Sequence, residues 1–110
     1  MAAFVKGEIV VVPFPFSDLT QVKRRPALVI TPLQGDDVIL CQITSRALHG
    51  AYAIPLESTD FTKGSLNQPS NIRPNRLFTA DSNIILYSVG HLQPTKVNEV
   101  IEAIVTIIRI

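Results

Sequence analysis

The sequence predicts a mainly β protein of the α+β class, in which a small, strongly curved antiparallel sheet or barrel is capped by a C-terminal helix. One observation is a series of short apolar runs, rich in β-branched residues and separated by proline and glycine turns. A second is a helical period confined to the last segment of the chain. A third is the length of 110 residues with 46% hydrophobic residues, which suits a single domain spanning residues 1–110.

The first half of the chain contains four predicted strands. The runs at 8–14, 27–31 and 38–44 are apolar, β-branched and too short for helices. Prolines or a Gly-Asp-Asp turn bound each of them. A fourth strand is expected at 51–56.

A polar stretch at 57–70 opens the second half. It contains Gly64 and Pro69 and has no periodicity, so we expect a long surface loop there. Two further β-like segments follow at 71–81 and 83–92.

The last segment has the period of an amphipathic helix. Gln93 or Thr95 would begin it, with Pro94 in the first turn, where a missing N–H donor costs nothing. We expect its apolar stripe to be core or dimer surface. The stripe consists of Val97, Val100, Ile101, Ile104, Val105 and Ile108.

Charge and composition exclude several classes of protein. A net charge of +1 and a pI near 7.9 do not indicate a general nucleic-acid binder, so affinity for anions must come from local clusters of cations. No apolar run approaches the ~18 residues of a membrane span, and no signal sequence is recognisable, so we expect a cytoplasmic protein without membrane contact. The single cysteine, Cys41, is expected in the core. His49 and His91 lack ligand spacing with it, so no metal and no cofactor are expected.

A cluster of cations stands beside an apolar run between residues 10 and 30. A polar, proline-punctuated loop ends in Lys23, Arg24 and Arg25, immediately before Pro26 and the second predicted strand. Because adjacent positive side chains repel one another, an anionic ligand such as a phosphate backbone would stabilise them.

Hydroxyl and guanidinium groups are predicted at other strand ends as well. Thr44 and Ser45 close the third strand, with Arg46 after them, and Arg73 opens a later β-like segment. In a small barrel these ends can meet Arg25 on one rim, where such groups could grip phosphate oxygens and stabilise the charge of a breaking phosphodiester. This set suits a metal-free cleavage of RNA in which the ribose 2′-OH attacks its own phosphate.

At these residues the sequence resembles the MazF/PemK family of toxin–antitoxin ribonucleases. The similarity lies in GEIVVVPFPFSDLTQVKRRPALVI, then VILCQITS, later RLFTADSNIILYSVGHL, and the terminal helix, so it covers nearly the whole chain. The resemblance implies an SH3-like barrel and a homodimer. It also implies a toxin that cleaves single-stranded RNA, including mRNA, at selected sequences without metal. A cognate antitoxin, expected to be acidic and partly disordered, would inhibit it.

The resemblance also implies roles for individual residues. Arg25 matches an arginine that stabilises the scissile phosphate and helps with proton transfer, Thr44 matches a threonine that hydrogen-bonds it, and Arg73 matches a second arginine that assists catalysis. Residues expected to hold RNA are Ser17, Asp18, Lys23, Arg24, Ser45, Arg46 and Arg76.

The chain departs from the family pattern at two positions. Asn75 stands where some members have an acidic residue, and Phe78 stands where many have arginine, with Arg76 nearby as a substitute in charge but not in register. These departures put the activity of this copy and its RNA motif in question.

The residues leave simpler readings open. Arg25 could be a solvated strand-edge cation paired with Asp18 or Glu8. Thr44 could only cap a strand. A toxin of the same fold that binds a protein target such as gyrase, or a barrel serving as an interaction module, would also fit the fold class. The gyrase poisons lack the Arg-Pro and Ile-Thr-Ser pairing, which this chain retains.

Overall fold

The computed structural model describes residues 4–15, 22–45 and 50–110. The described strands form one antiparallel sheet, and a single α-helix follows them. Their bounds are β1 (Glu8–Pro15), β2 (Val22–Pro32), β3 (Asp37–Ser45), β4 (Ile54–Leu56), β5 (Phe61–Gly64), β6 (Ser70–Asp81), β7 (Tyr87–Leu92) and α1 (Pro94–Arg109). The spatial order of the strands is β4-β6-β3-β2-β1-β7-β5.

The sheet is strongly curled, as the sequence predicts. Phe14 on β1 and Phe78 on β6 are separated by β2 and β3, so in a flat sheet their strands would lie about 14 Å apart. Their ring centroids are 5.0 Å apart. The prediction of a mainly β fold with a C-terminal helix is therefore confirmed.

The cations of residues 23–25 lie on a strand, not in the loop predicted for them. β2 begins at Val22, five residues earlier than expected, and pairs with β1 so that Val12 lies opposite Arg25 and Phe14 opposite Lys23. Pro26 is tolerated inside β2 because the ladder to β3 starts only at Ala27. The prediction of a short strand at 27–31 was wrong at its start.

The long surface loop predicted at 57–70 is also wrong in part. It contains a turn of 3-10 helix at Ser58–Asp60 and the short edge strand β5, which pairs with β7. Only residues 65–69 remain as an irregular connection to β6. The fourth strand is shorter than expected, since β4 covers only Ile54–Leu56.

The helix begins where the sequence predicts, with Gln93 as its N-cap and Pro94 as its first residue. Val97, Val100 and Ile104 of the stripe are buried, whereas Ile108 is exposed. The helix therefore uses the first part of its stripe as core. No helix in the described part of the chain is long and apolar enough to cross a membrane.

Two apolar clusters hold the sheet in shape. In one, the α1 stripe packs on residues such as Leu28, Cys41 and Ile43. In the other, residues such as Val12, Ala27 and Leu40 pack together, with Phe78 against them. Since successive residues in the middle of β2 and β3 alternate between the clusters, these middle parts are buried on two sides. They form a rigid support for side chains at their ends.

Candidate active site

Three segments form a groove of about 230 Å³ at one end of the sheet. The start of β2 forms one side and the end of β3 forms the floor. The connection at 65–69 forms the other side. The lining residues are Arg24, Arg25, Pro26, Ile43, Thr44, Ser45, Leu66, Asn67, Gln68 and Ser70.

Arg25 and Thr44 both line this groove. Arg25 lies two residues before Ala27 on β2, and Thr44 lies two residues after Gln42 on β3. Ala27 and Gln42 are the pair at this end of the β2–β3 ladder, so both side chains come from the strand ends just beyond it.

Thr44 is a buried residue with an unused hydrogen-bonding group. It is 6% exposed, and its Oγ1 has no hydrogen-bond partner among the described residues. A buried polar atom without a partner costs about 1–3 kcal/mol. An oxygen of a ligand in the groove would supply the missing partner.

The second side of the groove was not predicted from the sequence. Leu66, Asn67 and Gln68 belong to the stretch interpreted only as a surface loop, and they line the groove together with the cations of β2. The Ser70 hydroxyl donates to the carbonyl of Gln68 at 3.0 Å, which ties this connection to β6. The two adjacent amide side chains before Pro69 were the only hint in the sequence that this stretch binds a ligand, and nothing in the sequence placed them beside Arg25.

Arg73 lies apart from the lining of the groove. It is on β6, two residues beyond Asn71, which is the partner of Thr44 in the β3–β6 ladder. It is 7% exposed, and its Nε has no hydrogen-bond partner within the described residues. The structure therefore places Arg73 near the floor strand but not at the open surface.

The ladder between β3 and β6 is irregular at Arg73. Ile43 is paired with Ile72 and Cys41 with Leu77, so four residues of β6 bulge opposite a single residue of β3. The Cys41 thiol, fully buried as predicted, donates to the Arg73 carbonyl at 3.0 Å. Burial raises the pKa of this thiol to about 12, so it is protonated at neutral pH and is not a nucleophile.

The remaining predicted residues are distributed around this groove. Arg24 and Ser45 line it, Lys23 is exposed on the same strand as Arg24, and Arg76 is exposed in the β6 bulge away from the lining. Asn75 is exposed in the same bulge. Four residues singled out from the sequence, Ser17, Asp18, Arg46 and His49, lie outside the described residues.

A larger cavity of about 790 Å³ lies at the β5–β7 edge. It is lined by Glu8, Lys63 and His91 together with small and apolar residues, and contains no guanidinium group. The described residues contain no cluster of three His, Cys, Asp or Glu side chains that could hold a metal ion. The smaller groove is the better phosphate site because its lining combines two arginines with three hydroxyl side chains.

Solved structures share this fold. MazF from Deinococcus radiodurans has a TM-score of 0.76 at 19% identity, with all of both chains covered. The toxin MazF-mt6 from Mycobacterium tuberculosis has a TM-score of 0.67 at 21% identity, with 92% of this chain and 97% of that chain covered. An endoribonuclease in complex with its cognate antitoxin, from a mycobacterial species, has a TM-score of 0.76 at 12% identity and covers 98% and 97%.

Sequence comparison gives the family. No curated protein sequence matches the chain. The family model of the PemK-like, MazF-like toxin of type II toxin–antitoxin systems, however, matches residues 5–108. The chain therefore belongs to the PemK-like, MazF-like family of type II toxins.

Proposed function

We propose that this toxin is an endoribonuclease that cleaves single-stranded RNA, including mRNA, without a metal ion. The observation that carries the proposal is that Arg25 and Thr44 line one groove at the end of the sheet. A cation and a hydroxyl held on adjacent strands can bind two oxygens of one phosphate. The mycobacterial relative of the same fold is an endoribonuclease, which agrees with this assignment.

The proposed reaction needs only alignment, charge stabilisation and proton transfer. The ribose 2′-oxygen attacks the adjacent phosphorus and loses its proton, and the bond from phosphorus to the 5′-oxygen breaks as that oxygen gains a proton. The products are a 2′,3′-cyclic phosphate and a 5′-hydroxyl. Arg25 stabilises the negative charge that develops on the phosphate oxygens, and Thr44 donates to one of them. Arg73 adds positive charge behind the floor of the groove.

We further propose that the amides of Asn67 and Gln68 select the RNA sequence. They line the same groove as Arg24 and Arg25, so a strand bound by its phosphate to the cations could place its bases against them. Asn and Gln side chains both donate and accept, which allows them to recognise base edges. Lys23, Arg24 and Ser45 would hold the backbone of the strand.

The family suggests two protein partners. We propose that an acidic, partly disordered antitoxin segment covers the cations of β2 and blocks the groove. We also propose that the toxin acts in the cytoplasm as a homodimer, because apolar side chains such as Leu86, Tyr87 and Ile108 are exposed. Light scattering at micromolar protein would give the mass of the assembly.

The activity is tested by incubating the purified protein with a long single-stranded RNA in excess chelator. We expect cleavage, and we expect Arg25→Ala to slow it by about 10²-fold, the loss typical of one charge-stabilising donor. Thr44→Val removes only the hydroxyl and should slow cleavage while leaving stability unchanged or higher, since Oγ1 has no partner among the described residues.

Matched controls lie outside the groove. Arg109→Ala at the end of α1 and Thr79→Ala on the exposed part of β6 should cleave like wild type. Sequencing the RNA ends from the same reaction should show altered cleavage positions for the double variant Asn67→Ala, Gln68→Ala. Intact RNA at high wild-type protein concentration would reject the proposal and favour a toxin that binds a protein target.

A further inference from the structure

The guanidinium of Arg73 lies directly against the backbone of Gly50. A Cβ built on Gly50 would be 2.7 Å from Nη1, 3.4 Å from Cζ and 3.5 Å from Nη2 of Arg73. A real Cβ atom does not approach another heavy atom to 2.7 Å, so either the side chain at position 50 or the guanidinium would have to move. The space that a side chain would fill at Gly50 is occupied by the charged group of Arg73.

Burial limits the space into which the Arg73 side chain can move, and two further features fix its backbone. Its side chain is almost entirely buried, so the guanidinium has little empty space around it. The thiol of Cys41 holds its carbonyl at 3.0 Å. Pro74 follows it, which restricts the backbone of Arg73 to extended conformations.

The backbone at Gly50 does not itself require glycine. Three described glycines, Gly7, Gly35 and Gly64, have positive φ angles, and Gly50 is not among them. The carbonyl of Gly50 accepts a hydrogen bond from the N–H of Ala53 at 3.2 Å, closing a turn that alanine could also form. The contact with Arg73 is therefore the physical reason for a glycine at this position.

We propose that Gly50 is a positioning residue, whose missing side chain leaves the guanidinium of Arg73 in place behind the floor of the RNA groove. The inference rests on the proposed ribonuclease function for its catalytic consequence, but not for the contact. Any larger residue at position 50 would displace the guanidinium from its site on β6. The charge would remain in the protein but would no longer lie at the same place relative to the breaking phosphodiester.

The test is a double-mutant cycle of wild type, Gly50→Ala, Arg73→Ala and the variant with both changes. Each protein is assayed for cleavage of a defined RNA oligonucleotide and for its unfolding midpoint. We expect Gly50→Ala to lower kcat about tenfold with little change in KM, because RNA still binds to the unaltered cations at residues 23–25 of β2 (the β2 rim). In the Arg73→Ala background the same change should have no effect on kcat.

The unfolding midpoint gives a second readout, in which Gly50→Ala should have opposite effects in the wild-type and Arg73→Ala backgrounds. Gly50→Ala should lower the midpoint in wild type, where the methyl group meets the guanidinium. In the Arg73→Ala background it should raise the midpoint, because alanine restricts the unfolded chain and nothing blocks it in the folded one. Ala51→Ser, which adds one atom at the exposed neighbouring position, should change neither kcat nor the midpoint in either background.

The outcomes separate this inference from the proposed function. If wild type cleaves and Gly50→Ala has the same effect in both backgrounds, Gly50 does not position Arg73, while the ribonuclease assignment stands. If wild type leaves the RNA intact, the ribonuclease assignment fails together with any catalytic role for Gly50. The two midpoints then show whether the contact itself holds the guanidinium.

Discussion

The arginines of β2 and the arginine of β6 lie in opposite surroundings although they belong to the same end of the sheet. Arg24 is exposed and Arg25 is half-buried at the open side of the groove. Arg73 is almost fully buried between a strand bulge and Gly50. The same side-chain type is thus placed once where water solvates it and once where water is largely excluded.

The two surroundings have different consequences for the stability of the folded protein. An exposed cation costs the folded state little and contributes little to its stability. A buried guanidinium loses hydration, and its Nε recovers no hydrogen bond from the described residues. The β6 site therefore lowers stability, as functional sites often do, whereas the β2 rim is close to neutral.

The largest effect that would sharpen this contrast is expected for Arg73→Met. Methionine keeps the length of the side chain and removes the buried charge, so the free energy of unfolding should rise by about 1–2 kcal/mol. Cleavage of RNA should fall at least tenfold. Urea unfolding and an oligonucleotide assay on the same preparation measure both.

Arg24→Met on the exposed rim is the matched control and should change the free energy of unfolding by less than about 0.5 kcal/mol. A loss of stability in Arg73→Met would break the contrast, because it would mean that the guanidinium holds the β6 bulge together.

A smaller effect is expected at Cys41, which fixes the backbone of the buried arginine. Cys41→Ala removes the hydrogen bond to the Arg73 carbonyl and leaves a small cavity, so at pH 7 it should lower the free energy of unfolding by about 1 kcal/mol. Burial raises the pKa of the folded thiol from 9.0 to about 12, so this contribution is fully present below pH 9 and is lost as pH rises toward 12.

Urea unfolding of wild type and Cys41→Ala at pH 7 and pH 10 measures this loss. The wild-type advantage should shrink to near zero at pH 10, since the unfolded chain then releases the thiol proton and the folded chain does not. The change in the free energy of unfolding of Cys41→Ala between the two pH values measures the contribution of all other titrating groups, so the difference from wild type isolates the thiol. An equal difference at both pH values would show that the thiol is not protected by burial.

The smallest effect is expected on the rim. Lys23→Ala removes one exposed cation, so the slope of log affinity for single-stranded RNA against log salt should fall by about 0.7. Binding is measured with the cleavage-deficient Thr44→Val variant as background. Lys6→Ala, an exposed cation near the other end of β1, should leave the slope unchanged. Loss of all RNA binding in Lys23→Ala would place this rim residue among the essential ones.

The sequence was sufficient for the elements whose side chains alternate or repeat regularly. The strands β1 and β3 contain β-branched runs bounded by turn residues, and α1 has an apolar stripe. β7 was found with a start four residues too early, because the isoleucines at 84 and 85 precede the strand, which begins at Tyr87. β5 was missed because an edge strand of four residues, mostly exposed, has no alternation to detect. The start of β2 was missed because its charged residues are poor strand formers. Their pairing with Val12 and Phe14 on β1 outweighs that preference.

The candidate site was predictable only in part, for a similar reason. Arg25 and Thr44 were found because each stands at the end of an apolar run, and the structure places both in the lining of one groove. The burial of Arg73 depends on Gly50 and on a bulge in β6, which are long-range features that no local pattern encodes. The position of Asn67 and Gln68 likewise depends on the path of the connection between β5 and β6, which lie far apart in the strand order.

The connection at 65–69 has a consequence for how such toxins diversify. Its two ends are held in separate ladders, by Gly64 on β5 and by Ser70 on β6, and its own residues belong to no strand. Leu66 packs against the core, but the other four residues are exposed, so substitutions at those four should leave the pairing of the sheet and the positions of Arg25 and Thr44 intact. If these residues select the RNA sequence, a lineage can acquire new targets by changing those four codons, and the same segment is the place to transplant target preference between toxins.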